Sequence, residues 1–387
     1  MLKNYLITTL RSLKRNQLNT FINLIGLTLG IACAILLSHL ALYFLGYNKF
    51  ESNYHRIARI VNHSPGQGGE EDYTPGVPLP FVAALIEDFP DFDEVVLVRD
   101  YYGETLFTIE PDAEAPVYFE LQDQRLAYVP NEYFSVFDRA FLEGDKNTAL
   151  VNPNTVVISS GVANNMFPEG NALGKTIAFN KDEEYVITGI MADHDVVSDM
   201  PFDILFSQST RSEEIKNGHW GSVSSSDQCY VLLPEGKRVE DYQERLNAFT
   251  AKHFDAEDKE VYELQPMTDL HFNSKYATLS YSSIDPIEIT VMMIIAIFLV
   301  LTACVNFINL STAIAVERAR EIGVRKVLGG TKQQLIFQFL SESFVLILVS
   351  ALMALGVAEL MLLKMNPFLE TSVNLDLLDP QFMVHLI

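Results

Sequence analysis

Three stretches of this chain are apolar for long enough to cross a bilayer, which takes about 20 consecutive such residues. Positions 21–45 hold no charged residue, positions 289–308 are uncharged with Glu288 at the rim, and positions 344–363 are interrupted only by Glu359. Ahead of the first, Leu2, Leu6, Leu10 and Leu13 recur at helical spacing beside Lys3, Arg11 and Lys14. That spacing predicts an amphipathic helix lying on the membrane surface. Between the first and second stretches the pattern changes. Runs rich in β-branched and aromatic residues at 55–62 and 185–190 predict strands, and 81–88 and 239–253 predict helices. Such an irregular mixture predicts an α+β domain, not a repeating βαβ sheet, with room for one large domain or two lobes. After the third stretch a polar connector occupies 366–380, and 382–387 opens a further apolar run.

The fold class expected is therefore an α-helical membrane protein with a large α+β extracytoplasmic domain, three complete transmembrane helices and a truncated fourth. The expected boundaries are an interfacial helix at 1–19, a transmembrane helix at 20–46 and the extracytoplasmic domain at 47–285. They continue with a transmembrane helix at 286–316, a cytoplasmic segment at 317–333, a transmembrane helix at 334–365 and a connector with the start of a truncated span at 366–387.

Charge orients this arrangement. Residues 1–19 carry Lys3, Arg11, Lys14 and Arg15 and no acid, and 317–332 carries five basic residues against Glu317 and Glu321. The block 46–285 holds 17 basic residues against 42 acidic ones, a net of −25. Positive loops stay in the cytoplasm, so the N-terminus and 317–332 are expected inside and the acidic block outside. An acidic surface of that size repels phosphate and excludes nucleic acid as a ligand. The first apolar stretch is much longer than the ~7–15 residues of a signal-peptide core, and it reads as a retained anchor. Cys33 and Cys304 fall in predicted spans and Cys229 stands alone in the outer block, so no disulfide framework is written here.

Two spans carry small residues four apart: Gly26, Gly30, Ala34 and Ser38 in the first, and Ser350, Ala354 and Ala358 in the third. Four-residue spacing stacks them on one helix face, where another backbone can approach closely. Small residues are also simply common in membrane helices.

Several stretches invite a chemical reading. Gly170, Gly174, Lys175 and Thr176 imitate a phosphate-binding loop, but only three residues separate the glycines where four are needed. Asp193, His194, Asp195 and Asp199 are of metal-ligand type, yet their spacing on a loop does not close a coordination sphere. His39, inside a span, reads as a packing residue, Glu359 as one reaching the outer headgroups, and Glu342 either as a functional contact or as plain interfacial placement. No nucleophile–base pair or carboxylate pair can be argued from spacing. No catalytic residue, metal ligand or cofactor is assigned to this chain, and it is not expected to be an enzyme.

The most informative stretch is 317–342. Glu317 can meet Arg320 at i+3 and Glu321 can meet Arg325 at i+4 on a helix continuing from the second span. Gly329 and Gly330 then stop that helix, and Thr331 with Gln334 three residues on forms a capping box that starts another. The product is a basic helix–elbow–helix between two spans. A positive-inside loop would explain its charges but not the breaker followed at once by a cap.

This stretch resembles the FtsX-like, MacB-type permeases of ABC transporters, through Glu317, Arg318, Arg320, Glu321, Ile322, Gly323, Arg325, Lys326, Gly329, Phe339, Leu340 and Glu342. Arg11 to Asn16, Asn23 to Leu27 and Gly30 resemble the opening of Gram-negative members. The outer block is similar to the family's periplasmic core domain at 134–137, 142–145, 173–175, 186–189 and 264–267. The resemblance implies a bacterial inner-membrane permease with its N-terminus cytoplasmic and its large domain periplasmic. It implies coupling to a separate cytoplasmic ATPase through Glu317, Arg318, Glu321, Gly323, Arg325 and Lys326, with ATP and Mg bound on that partner. It further implies a second permease copy, contact with membrane lipid and a periplasmic adaptor or substrate. The work expected is mechanical transmission serving efflux of a hydrophobic or peptide compound, or lipoprotein handling. The alternative is a signalling subunit that controls a cell-wall hydrolase or a sensor kinase. Departures are the three complete spans where four are usual and the lack of a second copy of the unit.

Overall fold

The computed structural model describes residues 17–65, 71–103, 105–109, 116–120, 125–180, 183–193, 197–254, 260–317, 319–327 and 331–369. Nearly all of the expected interfacial helix, and the apolar run at 382–387 with its expected fourth span, lie outside these residues. The chain divides into two compact units, one formed by the segments up to Leu45 and from Pro286 onward, the other by Gly46–Asp285.

Among the described residues of the first unit, three helices are long and apolar enough to cross a membrane: Gln17–Leu45, Pro286–Val316 and Lys332–Asn366. The first and third begin earlier than the apolar stretches alone indicate. In the third, the reason is local: the Thr331 hydroxyl accepts from the Gln334 amide at 3.4 Å and the Gln334 side chain accepts from the Thr331 amide at 3.1 Å. This reciprocal cap satisfies donors that a bare helix start leaves open. Good helix formers (Gln, Leu, Phe) then carry the helix into the apolar run.

The first span packs on both of the others. Leu27, Ala303 and Leu346 form one buried cluster, and Leu36, Ala358 and Leu362 another. Gly30 shows why a small residue is needed, since a Cβ there would come within 2.7 Å of the Ala303 Cβ. Gly26 lies against Asn306. Ala34, Ser350, Ala354 and Ala358 are all buried, Ser38 is half-buried, and the Thr28 hydroxyl donates to the Ser350 carbonyl at 3.4 Å.

The second unit is built on one mixed sheet. Its strands are β1 (Ile57–Pro65), β2 (Glu71–Thr74), β3 (Glu94–Asp100), β4 (Leu106–Ile109), β5 (Val117–Glu120), β6 (Leu126–Val129) and β7 (Phe141–Gly144). They continue with β8 (Thr155–Ser159), β9 (Thr176–Phe179), β10 (Glu183–Met191), β11 (Ile204–Ser207), β12 (Asp227–Leu232) and β13 (Val261–Pro266). Their order is β13-β1-β12-β3-β6-β11-β8-β10-β9-β4-β5, with β2 beside β1 and β7 beside β10. Among the described strands, the β6–β11 and β8–β10 pairs are parallel and the other pairs antiparallel. The first half of β10 alternates as a half-buried strand should: Tyr185 and Ile187 are buried, Glu184 and Val186 exposed. A Cβ on Gly144, where φ is +89°, would meet the Thr188 carbonyl at 2.4 Å, so only glycine lets β7 close on β10.

Helices cover the sheet where its strands are buried. Leu79–Asp88 and Gln243–His253 contribute Phe81, Leu85, Leu246 and Phe249 to a cluster with Ala58, Ile60, Val231 and Tyr262. Ser160–Met166, capped by the Ser159 hydroxyl, packs Val162 and Met166 on Ile158, Ile187 and Phe206. A third cluster joins Tyr133, Phe134 and Phe137 to Val96, Val98 and Tyr230. One sheet runs through the whole described part of this domain.

Candidate functional site

The elbow between the second and third spans is the first place where chemistry could meet a partner. The second span's helix runs Pro286–Glu317, and a short helix follows at Ala319–Val327. Glu321, Gly323, Arg325 and Lys326 lie on that short helix, and Glu317 ends the long one. Arg318, Gly329, Gly330 and the side chains of Glu317, Arg320, Glu321 and Arg325 lie outside the described residues, and with them the two expected ion pairs and the glycine stop. Gly323, Val324 and Val327 fall on one face by their i, i+1, i+4 spacing. Val324 is 59% exposed and Val327 88% exposed, and a Cβ added at Gly323 would meet nothing within 4 Å. Lys326 is exposed beside them. This is a small apolar face with a basic edge, held between two long helices and uncovered by the other described residues.

The second place lies in the Gly46–Asp285 unit, where the chain arrives after Leu45 and leaves before Pro286. Asp199, fully buried, ties both passages together. Its carboxylate accepts from the Asn48 side-chain amide at 2.7 Å and from the Ser280 hydroxyl at 2.6 Å, and it lies 3.1 Å from the His271 Nδ1. Its own amide donates back to the Asn48 side-chain oxygen at 2.8 Å. Asn48 adopts φ +59°, a left-handed conformation that Asn tolerates better than most residues. Tyr47 stacks on the His271 ring with planes 11° apart. The outgoing passage is further held by the Arg125 guanidinium, which donates to the Leu279 and Ser280 carbonyls at 3.0 and 3.3 Å and lies over the Tyr281 ring.

Beside the incoming passage, the buried carboxylate of Glu51 accepts from the Asp138 amide at 2.6 Å and from Arg139 at 3.2 Å. Burial pushes its carboxyl up to about 7, outweighing the downward pull of the Arg139 charge and the Asp138 amide. Both passages are thus hydrogen-bonded to the body of their own unit.

The other sequence candidates fall in structural roles. Gly170 and Gly174 have φ of +85° and +79°, and the Gly174 amide donates to the Ile187 carbonyl at 2.7 Å, a turn leading into β9. Asp193 accepts from the Gly161 amide at 2.6 Å, whereas His194 and Asp195 lie outside the described residues. Asp199, grouped with them by spacing, belongs to the passage network. Asn48, His271 and Ser280 were not singled out from the sequence. Glu342 is buried on the third span, with its carboxylate 3.4 Å from the Gln338 side-chain nitrogen. Glu359 is exposed on the same helix.

Comparison with known proteins bears on both units. Residues 20–249 match the MacB-like periplasmic core domain, and residues 293–386 match the FtsX-like permease C-terminal region. The ABC transporter permease YknZ of Bacillus subtilis (strain 168) is 34% identical over 85 residues, 22% of this chain and 21% of that protein. The macrolide export ATP-binding/permease protein MacB of Neisseria meningitidis (serogroup A / serotype 4A, strain DSM 15465 / Z2491) is 22% identical over 243 residues, 62% of this chain and 36% of that protein. The chain therefore spans well under two thirds of the length of either relative. Among solved structures, the periplasmic region of MacB from Actinobacillus actinomycetemcomitans is 14% identical, with a TM-score of 0.38 over 55% of this chain and 90% of that one.

Proposed function

The chain belongs to the FtsX-like ABC transporter permeases that carry a MacB-like periplasmic core domain, and from that premise we propose that it passes the closure of a partner ATPase across the inner membrane to its outer domain. The observation that carries this reading is the uncovered apolar and basic face of the Ala319–Val327 helix, set between two spans. The partner is a cytoplasmic ABC ATPase that binds ATP and Mg and performs the hydrolysis. A second permease copy completes the membrane assembly. Glu317, Arg318, Glu321, Gly323, Arg325 and Lys326 dock on the ATPase and take up its movement. The N-terminus and the elbow face the cytoplasm and the acidic domain faces the periplasm, as the charge distribution favours.

Helix length supports a mechanical route. The 32 residues of Pro286–Glu317 rise about 48 Å at ~1.5 Å per residue, and the 38 residues of Lys332–Leu369 about 57 Å. Both exceed the ~30 Å hydrocarbon core, so each helix reaches beyond the bilayer. The spans then act as stiff rods, and the Asp199 network receives their displacement at the domain's base. The cargo is a hydrophobic or peptide compound or a lipoprotein, moved by the outer domain or by an adaptor docked on it.

The test is reconstitution of the permease with its copurifying ATPase. Arg325→Glu is expected to lower permease-stimulated ATP hydrolysis at least about tenfold, because a like-charge juxtaposition costs several kcal/mol. Gly323→Trp is expected to abolish copurification while insertion is unchanged, since no described residue lies within 4 Å of a Cβ added there. Full stimulation in both variants would remove the elbow from the mechanism.

A further inference from the structure

Tyr281 stands on the outgoing passage, in a turn closed by its own amide on the Thr278 carbonyl at 3.1 Å and by the Thr278 hydroxyl on the Ser282 carbonyl at 2.7 Å. Its φ is +54°, and the other described non-glycine residues with positive φ, Asn48, Asn154, Asn171 and Asn180, are all asparagine. Asparagine tolerates that conformation, whereas a bulky aromatic residue resists it. The turn itself gives no reason for tyrosine, so side-chain contacts hold it there. The hydroxyl donates to the Asp100 carboxylate at 2.5 Å, the Arg125 guanidinium lies 4.5 Å from the ring centre, and the Tyr102 ring meets it edge-on at 5.7 Å. Tyr281 is nevertheless 53% exposed and Tyr102 62%. A strained backbone held by a solvent-facing contact is a two-state element, because off Asp100 the residue can return to a negative φ.

Fixed points flank the turn. On one side Arg125 holds the Leu279 and Ser280 carbonyls and Asp199 holds the Ser280 hydroxyl. On the other Ile284 is buried, and its amide donates to the His271 carbonyl at 3.0 Å. Pro286 opens the helix of the second span, and a residue ahead of proline is biased away from helix, so the turn is not absorbed into that helix. A change at Tyr281 is thereby confined to a few residues. Asp100 makes it depend on pH. Facing this carboxylate are Arg125, Tyr281 and Tyr102, whose hydroxyl also bonds to it, while Arg99 on the same strand is engaged with Asp227 and Glu214. Burial pushes the Asp100 carboxyl up to about 6, against the downward pull of Arg125 and Tyr102. Once the Tyr281 ring swings away, water reaches the carboxylate and that rise is relieved, so the closed turn holds a proton that the open one releases. Acid favours closure, and from pH 5 to pH 7 opening grows by up to about tenfold.

We propose that Tyr281 is a hinge on the passage to the second span, locked while its hydroxyl sits on Asp100 and increasingly free as the pH rises. The experiment is amide hydrogen exchange of the purified full chain, read over 276–285 at pH 5 and pH 7 and corrected for the intrinsic effect of pH on exchange. Opening should be about three- to tenfold more frequent at pH 7. Asp100→Asn, which removes the titration, should abolish the difference. Glu51→Gln should keep it, which separates the hinge from a change in the stability of the whole domain. Tyr281→Phe keeps the ring and loses the hydroxyl, and it should exchange faster than the parent at pH 5. That variant carries the test if Asp100→Asn does not fold. Equal protection of wild-type 276–285 at both pH values, a difference that survives Asp100→Asn or vanishes with Glu51→Gln, or Tyr281→Phe exchanging like the parent would each overturn the proposal. No ATPase or nucleotide takes part, so the outcome does not depend on the transmission of force.

Discussion

Asp199 holds three side chains that come from both passages of the chain into and out of the Gly46–Asp285 unit. Removing its carboxylate by Asp199→Ala takes away the acceptor of the buried Asn48 side-chain amide, and leaving such a donor unanswered costs about 1–3 kcal/mol. By contrast Asp145 serves an exposed turn through Asn147. The melting temperature of purified protein should therefore fall far more for Asp199→Ala than for Asp145→Ala, and equal shifts would show that the network is dispensable. Glu51 adds a dependence on pH. Its carboxyl sits at about 7 in the folded domain against an ordinary 4.5, so between those values the folded state holds a proton the unfolded chain has released. Stability from this group is therefore greatest at the acid end and falls as pH rises from about 4.5 to about 7. Glu51→Gln should lose that slope, so melting curves of the two proteins should separate progressively with pH. Spacing could not reveal either residue. The partners of Asp199 lie 72 to 151 positions away in the chain, beyond the reach of any local spacing.

Among the elements, the spans were legible because their apolar stretches hold no charge but Glu359, and the start of the third because both halves of its cap are three residues apart. Periodicity put Gly26 and Gly30 on one face without saying what meets them. The structure supplies Asn306 and Ala303, both on the second span. Gly30→Leu must push into Ala303, and overpacking of this kind costs about 1–3 kcal/mol. Gly356→Leu on the third span, where an added Cβ meets nothing within 4 Å, is the matched control. Titration with a denaturing detergent should unfold Gly30→Leu first. Sheet order was beyond reach of the sequence, because β1 pairs with β12 and β13 from the far end of the domain. Local propensity marks a strand but carries no information about a distant neighbour.

On the scale of the whole molecule, the proposal rests on which side of the membrane each charged region occupies. A net of −25 over 46–285 and the arginine-rich elbow argue for opposite sides, and the wild-type protein is well suited to a thiol test of this. Cys229 is fully buried, and burial pushes its thiol above the usual range, so it should stay silent toward maleimides. Cys33 and Cys304 lie within spans, away from an aqueous, membrane-impermeant reagent. A cysteine in place of Lys216, whose side chain is 70% exposed in the outer domain, should label on intact spheroplasts. One in place of Lys326, exposed on the elbow helix, should label only after the membrane is permeabilised. Labelling of Lys326→Cys in intact spheroplasts would put the elbow on the side of the acidic domain. A cytoplasmic ATPase could not then reach it, and the transmission of force from ATP would lose its point of attachment.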